Sequence, residues 1–452
     1  MGSLKIHPHS RVTGYTTAGA WTSDTIQGVF ADRVRERGAH LAVADPADKT
    51  GLVDRLPMRL TWRELDAEVD AAAATLMASG IRAGDVVAVQ LPNTVEQVVV
   101  FLAVWRLGAI VTPLSVSADA EQIVDACNEA CVGAYVTATR VGADRVADRM
   151  LAVRSRIPTL QVVLAYGDGL PDGVVAMGGP SLHCHDEVAA YAATLAPAPD
   201  DCISICWTAG TGGRPKGVPH AHCESLALAR SVVADARLEP GDVMLNPVPS
   251  STATGITGTL LPWLVAGCVL VQHEPSDAAA FASRVADEKV TYTAARPSLL
   301  PELEARQPDL STLTRIAIGA GPLSPETARR WQDRHGIELV DYFGTVEGVV
   351  LRSDPGAPLG QRTVLYPRTG YANGTEVVLV GLDGEGVIEV PGVPGELRVQ
   401  GPTVFSGYLN PARDGDPFDA DGLFATGEVF EIDGPEGAYL RYVGRLGHGG
   451  DG

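Results

Sequence analysis

The residues between Trp207 and Val218, in the run WTAGTGGRPKGV, have the types and spacing to bind a phosphate group. The run follows the apolar segment CISIC, which has the composition of a buried strand. Glycines can adopt backbone conformations closed to other residues and so let N–H groups point at phosphate oxygens, while threonine hydroxyls and a lysine ammonium add further donors. The residues with these properties are Thr208, Gly210, Thr211, Gly212, Gly213, Lys216 and Gly217. They predict a phosphate-binding loop.

This loop differs from a Walker A loop, in which a lysine followed by serine or threonine opens a helix. Here Lys216 lies between Pro215 and Gly217. A plain glycine-rich turn is the alternative interpretation, and the density of hydroxyl and amide donors disfavours it. We therefore expect Thr208, Thr211 and Lys216 to act on a bound phosphate.

The segments around the loop alternate between apolar strands and amphipathic helices. LTWRELDAEVDAAAATLMASGI has the pattern of a strand end, a helix opened by threonine and glutamate, and a glycine stop. DVVAVQLPN is typical of a buried strand, and TVEQVVVFLAVWRLGA of a second helix. The alternation returns at GAYVTAT, LQVVLAY, CISICWT, CVLVQHE and RIAIGAG. It predicts an α/β fold with parallel-rich sheets in two stacked lobes.

From about Gly356 onward the pattern changes to short alternating runs: TEVVLV, GVIEV, GELRVQG, EVFEID and AYLRYVG. Separated by glycine, aspartate and proline, these runs predict antiparallel hairpins and hence a small β-barrel or sheet subdomain. The stretch between Gly167 and Asp201 is rich in glycine, proline, aspartate and alanine. We expect a surface excursion there rather than a regular element.

Composition limits the classes of partner. The 452 residues carry a formal net charge of −20, which repels nucleic acid and anionic lipid. A nucleotide can still bind where loop amides and nearby cations dominate the local field. The N-terminus lacks an apolar signal core and no apolar stretch approaches the length of a membrane span, so we expect a soluble protein. Seven cysteines without paired spacing favour the reducing cytoplasm over a disulfide framework or a zinc site.

Further motifs follow one another along the chain: LTWREL, GAGPL at 319–323, DYFGTVEG at 341–348, GELRVQGPTVFSGY at 395–408 and DGLFATGEVFEID at 421–433. Together with the phosphate loop, they resemble the motifs of the adenylate-forming superfamily of acyl-CoA synthetases, luciferases and peptide-synthetase adenylation domains. Within that superfamily the chain is most similar to aryl-acid AMP ligases of the dihydroxybenzoate type. This similarity lies in Tyr15, Gly19 and Trp21, in FG-x-x-EG and in the SDP after it.

The resemblance implies an adenine site and a metal site. GAGPL would line the adenine pocket, and Tyr342 or Phe343 would stack on the base. Glu347 would hold a Mg²⁺ ion that bridges the phosphates of ATP, a role suited to a hard carboxylate oxygen. Thr345 would take over the phosphate contact that the family gives to the residue before Glu347, which here is Val346. The nucleotide-binding residues implied in this way are Gly319, Ala320, Gly321, Pro322, Asp341, Tyr342, Phe343, Gly344 and Thr345.

Several implied positions depart from the family pattern. Glu428 stands where the family has an aspartate that accepts hydrogen bonds from both ribose hydroxyls, so its acceptors are moved by about one methylene. Arg445 matches the arginine just before the family's hinge and would contact ribose or phosphate. Thr252 replaces a histidine of many acyl-CoA synthetases and indicates a small, hydroxylated acid pocket. The residues expected to line this pocket are Asn246, Ser250, Ser251 and Thr252.

The pattern of apolar segments and the family resemblance together predict a division into domains. A first α/β lobe would cover 1–200, a second lobe with the phosphate loop and adenine site 201–355, the β subdomain 356–443, and the start of a hinge 444–452. The sequence stops at GRLGHGGDG, where family members continue into a mobile C-terminal lobe. We expect that lobe, and its lysine that contacts the reacting carboxylate, to be absent.

The resemblance implies an AMP-forming ligase that uses ATP and Mg²⁺ to activate a small, aromatic carboxylic acid as its acyl-AMP, releasing pyrophosphate. A thiol of CoA or of a carrier protein would then accept the acyl group. Two alternatives remain open: a diazotase that activates nitrite to diazotise an aromatic amine, and a non-catalytic nucleotide-binding relative. Neither nucleic acid nor a membrane is expected as a partner.

Overall fold

The computed structural model describes residues 4–178, 184–209, 214–274, 277–321, 323–354, 356–369, 374–384 and 386–446. The chain divides into two compact units. The first unit comprises Met1–Thr13, Thr22–Ser276 and Ser406–Asp414, and the second comprises Gly14–Trp21, Asp277–Phe405 and Gly415–Gly452. Each unit is therefore assembled from separate segments of the chain. The division into lobes at 1–200, 201–355 and 356–443 stays a prediction.

The described residues form strands and α-helices, which are numbered in the order in which they occur along the chain. The strands are β1 (Leu41–Ala44), β2 (Arg59–Thr61), β3 (Val86–Gln90), β4 (Ile110–Pro113), β5 (Ala134–Ala138), β6 (Val162–Tyr166), β7 (Val174–Ala176), β8 (Cys202–Trp207), β9 (Gly217–Ala221), β10 (Val243–Asn246), β11 (Val269–Gln272), β12 (Tyr292–Ala295), β13 (Arg315–Ile318), β14 (Glu338–Gly344), β15 (Val350–Arg352), β16 (Leu365–Pro367), β17 (Glu376–Val380), β18 (Pro394–Gln400), β19 (Phe424–Asp433) and β20 (Tyr439–Arg445). The α-helices are α1 (His9–Thr17), α2 (Ile26–Arg37), α3 (Lys49–Leu52), α4 (Trp62–Ala78), α5 (Val95–Arg106), α6 (Ala120–Glu129), α7 (Val146–Val153), α8 (Cys184–Ala192), α9 (His222–Ala236), α10 (Ala253–Gly255), α11 (Leu261–Ala266), α12 (Ala278–Asp287), α13 (Leu299–Arg306), α14 (Pro325–His335) and α15 (Pro411–Asp414).

Among the described residues of the first unit, seven strands form one sheet in the order β7-β6-β5-β3-β4-β8-β9. All neighbours are parallel except β9, which runs antiparallel to β8. The central strands are buried along almost their whole length, as the continuous apolar runs of a parallel sheet require. This sheet carries the predicted phosphate loop on the β8–β9 edge.

The helix predicted after LTWREL is confirmed as α4. Thr61 precedes it and forms a capping box, in which Thr61 Oγ1 accepts from the Glu64 backbone N–H at 3.3 Å and Glu64 Oε2 accepts from the Thr61 N–H at 2.8 Å. The helix ends before Gly80, whose φ of +96° suits glycine. Local hydrogen bonding therefore fixes both ends of an element that the sequence pattern predicts.

The expected surface excursion between Gly167 and Asp201 is wrong in part. This stretch contains β7, which extends the seven-stranded sheet next to β6, and helix α8. Val188 of α8 is fully buried, and the Tyr191 hydroxyl accepts a hydrogen bond from the Ala83 N–H at 2.9 Å. The alanine-rich run has good helix propensity, which the glycine and proline residues on either side concealed in the composition.

The remaining strands complete the predicted fold class. The first unit also contains the strand order β10-β11-β1-β2, and the second contains β12-β13-β14-β15, both mainly parallel. In the described part of the second unit, five antiparallel strands follow the order β16-β20-β19-β18-β17. The expected mixed α/β fold with parallel-rich sheets and a separate antiparallel sheet is confirmed. In the part of the chain that is described, no helix has the length and apolar character to cross a membrane.

Candidate functional site

The predicted phosphate loop connects two antiparallel strands, with Trp207 at the end of β8 opposite Gly217 at the start of β9. Its two ends are joined by hydrogen bonds: the Thr208 N–H donates to the Lys216 carbonyl at 3.1 Å, and the Lys216 N–H donates to Thr208 Oγ1 at 3.0 Å. Because Thr208 Oγ1 accepts here, its own proton stays available for an anion. Gly210, Thr211, Gly212 and Gly213 lie outside the described residues.

A segment distant in sequence lies against this loop. Lys216 Nζ is 4.4 Å from the centre of the Tyr408 ring, a cation–π contact that directs the ammonium group. The Leu409 N–H donates to the Gly217 carbonyl at 2.8 Å, and a Cβ added to Gly217 would lie 3.0 Å from Leu409 Cβ. Glycine at 217 therefore permits the close approach. Tyr408 was not among the predicted site residues, although it ends the GELRVQGPTVFSGY motif.

A buried group of side chains holds the start of the same segment. His7 Nδ1 lies 2.7 Å from Ser406 Oγ, and His7 Nε2 lies 2.7 Å from Glu224 Oε2. His220 of β9 lies 3.0 Å from the other oxygen of Glu224. Burial disfavours the charged carboxylate, but the two histidines outweigh it and hold the pKa of Glu224 at about 2. A carboxylate between two imidazoles thus connects the strand after the loop to the segment that carries Tyr408.

The residues predicted to line the acid pocket differ in exposure. Asn246 and Ser250 are buried, with Asn246 Nδ2 donating to Ser250 Oγ at 3.2 Å and to Gln272 Oε1 at 2.9 Å. Ser251 is partly buried and Thr252 is exposed. The Thr252 hydroxyl accepts from the Gly255 N–H at 3.0 Å and donates to the Pro249 carbonyl at 2.8 Å, so it caps α10. The pocket assignment of all four residues stays a prediction.

In the second unit, the predicted adenine motif forms a turn after β13. The Gly319 N–H donates to the Ala295 carbonyl at 3.2 Å, and Gly321 has a φ of +156°. Ala320 between them has a φ of +60°, a left-handed conformation that costs a non-glycine residue about 1–2 kcal/mol. Pro322 lies outside the described residues. Such strain persists only where the surroundings enforce it, which marks this turn as a candidate ligand contact.

The motif DYFG occupies the end of β14, and Phe343 belongs to an aromatic cluster. Its ring centre lies 5.2 Å from Phe430, 5.5 Å from Tyr442 and 6.4 Å from Tyr366. Neighbouring residues of a strand point to opposite faces of the sheet, so Tyr342 and Phe343 lie on different faces. Phe343 lies on the face that contacts Phe430 of β19 and Tyr442 of β20.

Asp341, on the same strand, is a buried carboxyl. Oδ2 accepts from the Tyr366 hydroxyl at 2.7 Å, and Oδ1 is buried. Burial raises the pKa of Asp341 to about 7, against the effect of the Tyr366 hydrogen bond. Burial therefore favours the protonated carboxyl at this position.

This carboxyl should make stability depend on pH. The pKa is about 7 in the folded protein and 3.8 as the ordinary value, so between these limits the folded state binds more protons and stability falls as pH rises. Asp341→Asn removes the titration. As the pH rises from 4 to 8, the parent should lose about 2–4 kcal/mol of its free energy of unfolding, and the variant should not. Urea unfolding of both proteins at each pH measures this; parallel pH profiles would contradict it.

Glu347 lies in a tight turn after β14. The Thr345 N–H donates to the Val349 carbonyl at 3.0 Å, and the Glu347 carbonyl accepts from the Phe405 N–H at 2.9 Å. Gly348 has a φ of +86°, and a Cβ there would lie 1.9 Å from the Thr403 carbonyl oxygen. Only glycine fits this position, so the placement of Glu347 depends on Gly348.

The predicted ribose residues lie on neighbouring strands. Glu428 of β19 pairs with Arg445 of β20, and Arg445 Nε is 3.7 Å from Glu428 Oε1. Glu428 Oε2 also accepts from the Tyr442 hydroxyl at 3.1 Å. Tyr442 and Arg445 thus both lie against the longer carboxylate, and sequence reasoning missed Tyr442.

The structure places the predicted residues in two groups. Thr208, Lys216 and the acid-pocket residues belong to the first unit, whereas the residues from Gly319 to Gly348, Glu428 and Arg445 belong to the second. Within the described ranges, no group of three histidine, cysteine, aspartate or glutamate side chains is arranged to hold a metal ion by itself.

Residues 39–409 match the AMP-binding enzyme family. The chain belongs to the AMP-binding enzyme family. A member from Mycobacterium tuberculosis, a salicyl-AMP ligase / salicyl-S-ArCP synthetase, is 32% identical over 446 residues, covering 95% of this chain and 74% of its own length. The 2-hydroxy-7-methoxy-5-methyl-1-naphthoate–CoA ligase of Streptomyces carzinostaticus is 30% identical over 448 residues, covering 93% and 75%. The apo structure of Mycobacterium smegmatis MbtA superposes with a TM-score of 0.82 at 27% identity, covering 98% of this chain and 80% of that one.

Membership of the AMP-binding enzyme family confirms the predicted enzyme class, an AMP-forming ligase, and its use of ATP. The resemblance to aryl-acid AMP ligases is confirmed as well. These relatives are named for carboxylic acids and lend no support to nitrite activation or to a non-catalytic protein. The roles of individual site residues stay predictions.

Proposed function

We propose that this AMP-binding enzyme adenylates a small aromatic carboxylic acid with ATP and then transfers the acyl group to a thiol of CoA or a carrier protein. The observation that carries the proposal is the 32% identity to a salicyl-AMP ligase across 95% of the chain. In the first step, a carboxylate oxygen attacks the α-phosphorus of ATP, the bond from that phosphorus to the bridging oxygen of the β-phosphate breaks, and pyrophosphate leaves. In the second step, the thiol sulfur attacks the acyl carbon and gives up its proton to solvent, the acyl–phosphate bond breaks, and AMP leaves. No side chain is needed as a nucleophile, so positioning and charge stabilisation supply the rate.

The hairpin between β8 and β9 would hold the phosphates. Lys216 places a positive charge beside the loop, and the Thr208 hydroxyl, whose oxygen already accepts from the Lys216 N–H, can donate its proton to a phosphate oxygen. Thr211 and the loop glycines would add further N–H and hydroxyl donors. These donors would stabilise the charge that develops on the departing pyrophosphate.

The second unit contains the residues that we propose for the base and the ribose of ATP. Phe343, with Phe430 and Tyr442 beside it, offers an aromatic surface for adenine, and the turn Gly319–Gly321 offers backbone groups. Glu428 and Arg445 would bind the ribose hydroxyls.

The residues around Glu347 fit a Mg²⁺ ion. Thr345 Oγ1 is buried and has no hydrogen-bond partner among the described residues, and Glu347 supplies a carboxylate whose backbone is fixed by Phe405. Mg²⁺ in such enzymes takes one or two protein oxygens and completes its shell with water and phosphate, so a larger ligand cluster is not needed. When bound, it would neutralise charge on the ATP phosphates.

The proposal is tested by mass spectrometry of the products formed from ATP and Mg²⁺ with salicylate, anthranilate, a hydroxynaphthoate and a medium-chain fatty acid, each with and without hydroxylamine. With an aromatic acid and no nitrite, we expect pyrophosphate and acyl-AMP to form, and we expect hydroxylamine to convert the acyl-AMP into a hydroxamate and free AMP. A parallel set contains an aminoaryl acid with nitrite. AMP that forms only with nitrite, or AMP formation with the fatty acid alone, would contradict the proposed substrate class.

A further inference from the structure

The pairing of β19 with β20 contains a β-bulge next to the predicted ribose residues. Glu428 pairs with Arg445, but the register then shifts and Phe430 pairs with Tyr442. Val443 is therefore the extra residue of β20, and half of it is exposed (50%). Bulges of this kind re-aim the side chain beside them.

The shift decides which face Tyr442 occupies. In regular register Tyr442 would lie opposite Glu431, on the other face of the sheet from Phe430. With the bulge, the ring centres of Tyr442 and Phe430 are 5.3 Å apart, and Tyr442 also lies 5.5 Å from Phe343. The tyrosine thus shares a face with Glu428 and borders the aromatic residue proposed to stack on adenine.

The Tyr442 hydroxyl donates to Glu428 Oε2 at 3.1 Å, while Arg445 Nε lies 3.7 Å from Oε1. The Glu428 side chain is only 12% exposed, so these neighbours restrict its rotation. Burial and the nearby Glu428 raise the pKa of Tyr442 to about 12, which keeps the donating proton on its hydroxyl at neutral pH. A carboxylate has about four acceptor positions, so it can accept from several donors at once.

We propose that Tyr442 is a positioning residue for the ribose of ATP. Its hydroxyl holds the Glu428 carboxylate so that it can accept from the ribose hydroxyls. The bulge at Val443 makes this possible by turning Tyr442 onto the face of Glu428. The inference rests on the proposed function, because it assigns Glu428 to the nucleotide of the adenylation reaction.

The test is calorimetric titration of Tyr442→Phe and its parent with ATP and with 2′,3′-dideoxy-ATP, in the absence of acid. The substitution keeps the ring and removes only the hydroxyl. We expect the Kd for ATP to rise about tenfold, as for loss of a hydrogen bond to a charged group. The Kd for the dideoxy nucleotide should not change, because it has no ribose hydroxyl to lose. An equal rise for both nucleotides, or no rise for ATP, would overturn the proposal.

Two further variants separate positioning from structure. Tyr439→Phe removes a hydroxyl from the other end of β20 and should leave both Kd values unchanged. In a Glu428→Gln background, Tyr442→Phe should have little further effect, because the tyrosine acts through that carboxylate. AMP formation by the parent protein tests the proposed function separately: ATP binding with the expected hydroxyl dependence but without AMP formation would refute the reaction and leave this inference standing.

Discussion

Replacing Lys216 with alanine is expected to lower the rate of acyl-AMP and pyrophosphate formation by about a hundredfold to a thousandfold. The ammonium group is a charged donor that the β8–β9 hairpin brings beside the phosphate-loop segment, with its direction set by the Tyr408 ring at 4.4 Å. Its loss removes charge stabilisation that grows as pyrophosphate departs, so kcat should fall more than the KM for ATP rises. The measurement is pyrophosphate release under saturating acid.

The matched control for this prediction is Arg35→Ala. That substitution also removes one positive charge, but from an exposed side chain on α2, where 68% of the side chain is accessible. Its rate should equal that of the parent. If Lys216→Ala kept the parent rate, the assignment of this lysine to the reacting phosphates would be refuted, and the proposed phosphate loop would lose its main cation.

A second large effect is expected for Gly348→Ala. The added Cβ would lie 1.9 Å from the Thr403 carbonyl oxygen at a φ of +86°, so the turn must move. Steric displacement and the unfavourable φ together should lower the free energy of unfolding by about 3–4 kcal/mol. Because the turn places Glu347, AMP formation should fall as well, even at temperatures where the variant stays folded. Urea denaturation and AMP release measure the two effects.

Gly384→Ala isolates the contribution of the clash. Gly384 has nearly the same φ, +85°, but among the described residues no atom lies within 4 Å of the position that its Cβ would take. This variant should lose only about 1 kcal/mol, the cost of the backbone conformation. Equal destabilisation of the two variants would show that the turn at Gly348 accommodates the added Cβ at no further cost in stability. The inference that the placement of Glu347 depends on this glycine would then be wrong.

The sequence alone predicts those elements that are determined by interactions between residues close together in the chain. The capping box at Thr61 and Glu64 and the apolar run of β3 are readable because each depends on residues close together in the chain. Thr208 and Lys216, eight residues apart, were likewise predicted to belong to one loop, and they are joined by a hydrogen bond. Motifs also identify most candidate site residues, because a ligand-binding loop needs particular residue types at fixed spacing.

Other features depend on contacts that the sequence does not display. Helix α8 was not predicted because it is stabilised by the burial of Val188 and by the hydrogen bond of Tyr191. The glycine and proline residues on both sides of it also favour a loop in a sequence-based prediction. Tyr408 approaches Lys216 across nearly two hundred positions of chain. Tyr442 depends on a bulge, and a register shift of one residue leaves no trace in the alternation of β20.

The return of Ser406–Asp414 to the first unit limits how such enzymes can be recombined. A chimera made by one crossover near residue 276 would take Lys216 from one parent and Tyr408 from the other, and would likewise separate Gly217 from the Leu409 that fits against it. Exchange of the phosphate hairpin between relatives therefore requires that the nine-residue return segment Ser406–Asp414 travel with it. Evolution by lobe swapping would face the same constraint, so substitutions in the two segments should be accepted together.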